Sequence, residues 1–209
     1  CNRGVSKEVL NDYKGAVADY SKVIKLNPKF INAYYNRANA LMKLKEYKSA
    51  IKDFSKAIEL DPNFAEAYNN RGLAYEVVQK SKEALKDYTK AITINPNYIE
   101  AYYNRGVTYE SLRDKKAAIG DYSKVIELNP SVEEAYYNRG FIKMQFEDYQ
   151  NALSDFNRAI EINPKNGNTY LQRGYIKRSL KDMDGACADW SKASELGALS
   201  ADLYAEFCH

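Results

Sequence analysis

Five prolines, Pro28, Pro62, Pro96, Pro130 and Pro164, stand 34 residues apart along the chain. The text between them recurs with them. Residues 99–132, IEAYYNRGVTYESLRDKKAAIGDYSKVIELNPSV, set the pattern. A period held in phase over five copies means one supersecondary unit repeated along the chain. Such a unit buries its apolar face only against its neighbours, so the core is spread along the array instead of gathered at one centre. Complete copies occupy residues 31–64, 65–98, 99–132, 133–166 and 167–200. Residues 1–30 are a partial first copy, and 201–209 are the start of a further one, expected to cap the array.

Inside each copy the apolar and small residues fall at helical spacing twice. Tyr102, Gly106 and Tyr109 are i, i+4 and i+7 on one face, and Ala118, Tyr122 and Val125 repeat that spacing on a second. Arg113-Asp114-Lys115 makes a polar turn between them. Asn129 precedes Pro130 and is pushed out of the helical region, so the second helix ends near Leu128. Each copy is therefore a helix, a turn and a helix, and the fold class is all-α. Gly72, Gly106, Gly140 and Gly174, with Ala38, face Ala50, Ala84, Ala118, Ala152 and Ala186, which lets paired helices approach closely. One aromatic slot (Tyr20, Phe54, Tyr88, Tyr122, Phe156, Trp190) and another (Tyr34, Tyr68, Tyr102, Tyr136, Tyr170) fill the space around those contacts.

At this period, Tyr102, Gly106, Tyr109, Ala118, Tyr122, Val125 and Pro130 together resemble the tetratricopeptide repeat (TPR). The resemblance covers the whole chain. It implies a right-handed α-α superhelix, a TPR solenoid of antiparallel helix pairs forming one domain. It also implies a protein–protein interaction scaffold and no catalysis.

The rest of the sequence is consistent with that. Its net charge of +3, from 31 basic and 28 acidic residues, gives no field directed at nucleic acid. No apolar run approaches the roughly 20 residues of a membrane span. The one histidine, His209, has no rigid neighbour to orient it. No Gly-rich phosphate loop or metal-ligand spacing occurs, and no cofactor is expected.

Arg37, Arg71, Arg105, Arg139 and Arg173 recur before the small residue, and Asp53, Asp87, Asp121, Asp155 and Asp189 before the second-helix aromatic. Equal phase suggests a repeated arginine–aspartate contact; arginines left free would be phosphate or carboxylate ligands instead. One residue earlier stand Asn36, Asn70, Asn104 and Asn138, then Gln172. By resemblance to superhelical TPR proteins these form an asparagine ladder on the concave face. A side-chain amide offers one acceptor and two donors, so it can hold a peptide's N–H and C=O without reading its side chains. Beside the ladder Glu66, Glu100 and Glu134 start first helices, with Glu76 and Glu110 further on. Leu73, Val107 and Phe141 form an apolar strip over which Tyr35, Tyr103 and Tyr137 can stack. The expected partner is an extended protein or peptide segment that is basic and partly apolar. The carboxylate clamp used by some TPR proteins for chaperone tails lacks its cations, because Tyr35, Asn69, Tyr103, Glu100, Glu134 and Asn138 fill those slots.

The ends leave alternatives open. Cys1 to Gly4 match Tyr103 to Gly106, so the chain starts in mid-motif; a lipid-modified Cys1 is the other reading. A self-assembling module, a homo-oligomer stacked through its terminal repeats, is the alternative to the groove binder. Cys187 and Cys208, 21 residues apart, are either bridged or two buried thiols. A bridge would close a loop worth roughly 3 kcal/mol. The closing segment resembles that of bacterial TPR proteins, some exported, so the compartment stays open between bacterial cytoplasm and, with the bridge formed, periplasm.

Overall fold

The computed structural model describes residues 11–199 together with Tyr204 and Cys208. Expectations about Cys1 to Leu10, and about the cap helix apart from Tyr204 and Cys208, lie outside the described residues. The chain divides into two compact units, residues 1–113 and 114–209. The first holds α1 (Tyr13–Leu26), α2 (Ile31–Lys43), α3 (Tyr47–Leu60), α4 (Ala65–Val77), α5 (Ser81–Ile94) and α6 (Ile99–Ser111). The second holds α7 (Lys115–Leu128), α8 (Glu133–Gln145), α9 (Tyr149–Ile162), α10 (Gly167–Ser179) and α11 (Met183–Glu195). Within each unit successive helices pack on one another across short turns. First helices also meet, α2 with α4 and α4 with α6 in the first unit and α8 with α10 in the second.

Two kinds of turn keep the elements in phase. Each first helix ends in a left-handed residue: Lys45, Gln79, Arg113, Glu147 and Lys181 all have φ between 60° and 67°. Lys45 N–H donates to Met42 O and Glu46 N–H to Leu41 O, the paired bonds of a Schellman stop built without glycine. Second helices end at Asn27, Asp61, Asn95, Asn129 and Asn163. Each of these side chains accepts from the backbone N–H two residues on, at 2.9 to 3.2 Å. The Asx bond reverses the chain just where proline forbids further helix.

The core is the aromatic slot set against small residues. Tyr20, Phe54 and Tyr88 in the first unit, and Tyr122, Phe156 and Trp190 in the second, are at most 1% exposed. Gly72 lies so close beneath Tyr88 that a Cβ there would fall 2.6 Å from the ring.

Arginines tie consecutive pairs together. Arg37 donates through Nε and Nη2 to both Asp53 oxygens at 2.6 and 2.7 Å, and through Nη1 to Ser21 Oγ at 2.9 Å. Arg71 does the same with Asp87 and Ser55, Arg139 with Asp155 and Ser123, and Arg173 with Asp189 and Asn157. The aspartate belongs to the arginine's own repeat and the hydroxyl or amide to the one before. Each of these guanidiniums also sits over a tyrosine of the second aromatic slot, as Arg71 does over Tyr68 at 5.5 Å. These four arginines are structural and not ligand-facing.

Candidate peptide-binding face

In the first unit, α2, α4 and α6 bring a line of amides and phenols together. Asn70 Nδ2 donates to Tyr35 Oη at 3.0 Å and to Asn39 Oδ1 at 3.1 Å. Asn69 Nδ2 donates to Asn70 Oδ1 at 3.1 Å, and Asn104 Nδ2 to Asn69 Oδ1 at 3.0 Å. Tyr98, at the entry to α6, lies beside Asn69 as well. The chain Tyr35, Asn39, Asn70, Asn69, Asn104 crosses three first helices without a break.

The electrostatics follow from burial and neighbours. Burial pushes the Tyr35 phenol up, bonds from Asn39 and Asn70 draw it back, and Glu66 raises it again. Tyr98 is raised chiefly by burial, and further by Tyr35, Glu66 and Glu100. Glu66 and Glu100 are exposed and make no ion pair among the described residues. Two uncompensated carboxylates therefore flank two phenols.

Apolar surface lies alongside. Leu73 is 36% and Val107 43% exposed, where most of the chain's large apolar side chains are covered. The Tyr35 ring packs against Phe64 at 4.7 Å and Phe54 at 5.8 Å. Tyr103 and Asn36 are half-buried on the same helices.

The second unit repeats only part of this. Tyr137 stacks on Phe141, rings 6° from parallel and 6.4 Å apart, and meets Phe156 edge-on at 5.8 Å. Glu134 is exposed, whereas its neighbour Glu133 is buried and accepts from Asn166 Nδ2 at 2.8 Å. Asn138 and Gln172 are half-buried. Cys187 and Cys208 are joined by a disulfide, Cα atoms 5.7 Å apart. Tyr204, four residues before Cys208, meets Tyr175 edge-on at 5.0 Å and Trp190 at 5.4 Å.

Two sequence readings change. Glu76 is not a groove acid: it is half-buried, accepts from Ser81 Oγ at 3.4 Å across the turn to α5, and acts on the phenol of Tyr88. It stands four residues from Gly72, the helix contact, which puts it on the packing face. Asn39 and Tyr98, conversely, belong to the face and were not singled out, and Asn69 was noted only as filling a clamp slot. Asn69 carried a signal, because it interrupts a slot otherwise held by Tyr35, Tyr103 and Tyr137.

Among the described residues no group of His, Cys, Asp and Glu could hold a metal, and no helix is long and apolar enough to cross a membrane. Helix pairs stacked through arginine clamps, with a polar and aromatic face on the first helices, define a helical-repeat interaction scaffold. The tetratricopeptide repeat signature matches residues 31–64, 65–98, 99–132 and 133–166, and a second TPR repeat signature matches 10–45. The chain belongs to the tetratricopeptide repeat family, whose members are interaction scaffolds and not enzymes. Among curated protein sequences nothing matches. The solved structure of MamA is 29% identical with a TM-score of 0.74, over 78% of this chain and 95% of that one. YrrB, described as a TPR protein with an unusual peptide-binding site, is 26% identical with a TM-score of 0.78, over 90% and 97%. PilF of Pseudomonas aeruginosa, 19% identical over 99% and 93%, shares the fold at a TM-score of 0.82.

Proposed function

We propose that this scaffold holds an extended segment of a partner protein along its first helices, and that the segment is basic and partly apolar. The observation that carries the reading is the line Tyr35, Asn70, Asn69, Asn104 beside the uncompensated Glu66 and Glu100. Amides suit a peptide backbone, the carboxylates suit Lys or Arg, and Leu73 and Val107 suit apolar side chains between them. Tyr103 and Asn36 complete the set in the first unit; Glu134, Tyr137, Asn138, Phe141 and Gln172 form its counterpart in the second. The peptide-binding site described for YrrB supports the same use of a related array.

The test is a titration with a capped dodecapeptide alternating Lys and Val, beside one alternating Glu and Val. The basic peptide should bind and the acidic one should not. Glu66→Lys with Glu100→Lys should weaken the basic peptide at least tenfold, about 1.4 kcal/mol. Equal binding of the two peptides would refute the proposal. Stacking of chains through their terminal repeats is the competing proposal. Light scattering over a concentration range separates them, since a groove binder stays at one mass while a stacker grows.

A further inference from the structure

The rungs of the first unit are not equivalent. A side-chain amide has two N–H groups and an oxygen with two lone pairs. Asn70 has both N–H groups engaged, on Tyr35 Oη and Asn39 Oδ1, and its oxygen accepts from Asn69. Asn104 has one N–H engaged, on Asn69 Oδ1; its other N–H and its side-chain oxygen bond nothing among the described residues.

Tyr35 stands at the other end of the line. Asn70 donates to its oxygen at 3.0 Å, and the Tyr35 O–H donates to nothing among the described residues. With the Asn70 amide donating inward, the Tyr35 O–H is left to donate outward. Asn69, only 4% exposed, holds the centre of the line and fixes which way the Asn70 amide is turned.

We propose that Asn70 is a positioning residue that acts through Tyr35. The groups left to read a peptide backbone in the first unit are then the Tyr35 hydroxyl, donating to a carbonyl, and the Asn104 amide, donating to and accepting from one peptide unit. This rests on the groove reading above and divides its labour.

Two measurements decide it. The first uses ligand-free wild-type protein. Side-chain amide exchange by ¹⁵N NMR should show both Asn70 protons protected at least tenfold relative to exposed Asn32, and Asn104 with one slow and one fast proton. Asn70 exchanging like Asn32 would overturn the proposal. The second uses the Lys/Val dodecapeptide. Tyr35→Phe and Asn104→Ala should each weaken it about three- to tenfold, the range of one hydrogen bond. Asn70→Ala should weaken the wild type but add nothing in a Tyr35→Phe background. If Asn70→Ala costs the same factor in both backgrounds, Asn70 touches the peptide itself and the assignment is wrong. A peptide that fails to bind wild-type protein sinks the groove reading, while the exchange rates still decide what Asn70 does.

Discussion

Arg71 and Asp87 meet through two parallel hydrogen bonds, 2.7 Å on each prong, with the arginine side chain 17% and the aspartate 7% exposed. Burial pushes the Asp87 carboxyl above its ordinary range, and the bond from Arg71 draws it back only in part. Desolvation thus cancels much of the attraction, and the pair orients helices more than it stabilises them. Asp87→Ala should cost about 3–5 kcal/mol, because it strands a guanidinium in a half-buried site. Arg71→Met with Asp87→Leu should recover most of that loss. Urea denaturation of the three variants checks it; a double variant as unstable as the single would show that the pair itself supplies the stability.

Glycine is placed by contact at one position and not at another. A Cβ on Gly72 would lie 2.6 Å from Tyr88 Cε1, whereas one on Gly120 would meet nothing within 4 Å. Gly72→Ala should therefore destabilise by about 1–3 kcal/mol through overpacking, despite the better helix former. Gly120→Ala, at an exposed position of α7, should stabilise by about 0.5–1 kcal/mol. Melting temperatures moving in opposite directions are the expected outcome. The same direction for both would remove the argument from close approach.

Such contacts were legible in the sequence because they recur: Gly72 and Tyr88 hold slots that five other positions fill in the same phase. The arginine–aspartate pairing was legible for the same reason. Tyr35, Asn70 and Asn104 were legible as groove positions, but the residues that link them were not, because Asn39, Asn69 and Tyr98 are each departures from the repeat. A period predicts what is copied, and specificity sits where copying stops. Glu76 was misplaced for a related cause: its distance from Glu66 suggested a common face, while its i+4 relation to Gly72 fixes the opposite one.

Glu76 and Tyr88 form a second pair with a test of its own. Glu76 Oε1 and the Tyr88 hydroxyl are both buried and lack a hydrogen-bond partner among the described residues, and Glu76 raises the phenol. Along the chain these two slots change together: Met42 with Phe54, Glu76 with Tyr88, Met144 with Phe156, Arg178 with Trp190. In the last, Arg178 lies over the indole at 5.9 Å. A buried polar atom left without a partner costs about 1–3 kcal/mol. Tyr88→Phe should therefore stabilise by about that much, and Glu76→Met with Tyr88→Phe, which recreates Met42 with Phe54, should be at least as stable as wild type. A Tyr88→Phe variant that unfolds at lower urea than wild type would show that the hydroxyl has a partner in solution.

The last junction differs in sequence from the earlier ones. The slot of Arg37, Arg71, Arg139 and Arg173 is taken in the sequence by Phe207, and that of Ser21 and Ser55 by Ser191. The bond between Cys187 and Cys208 lies at that junction and fastens Tyr204 against Trp190 and Tyr175. A cross-link closing a loop of about 20 residues is worth roughly 3 kcal/mol, largely by restricting the unfolded chain. Reduction by a dithiol, or Cys208→Ser, should therefore lower the melting temperature of the second unit by several degrees. Trp190 is the only tryptophan and is 1% exposed, so its emission reports on the same junction. Without the bond Tyr204 loses that fastening, and the emission should shift to longer wavelength as water reaches the indole. Unchanged emission and melting after complete reduction would show that the packing of Tyr204 suffices and that the cross-link is redundant.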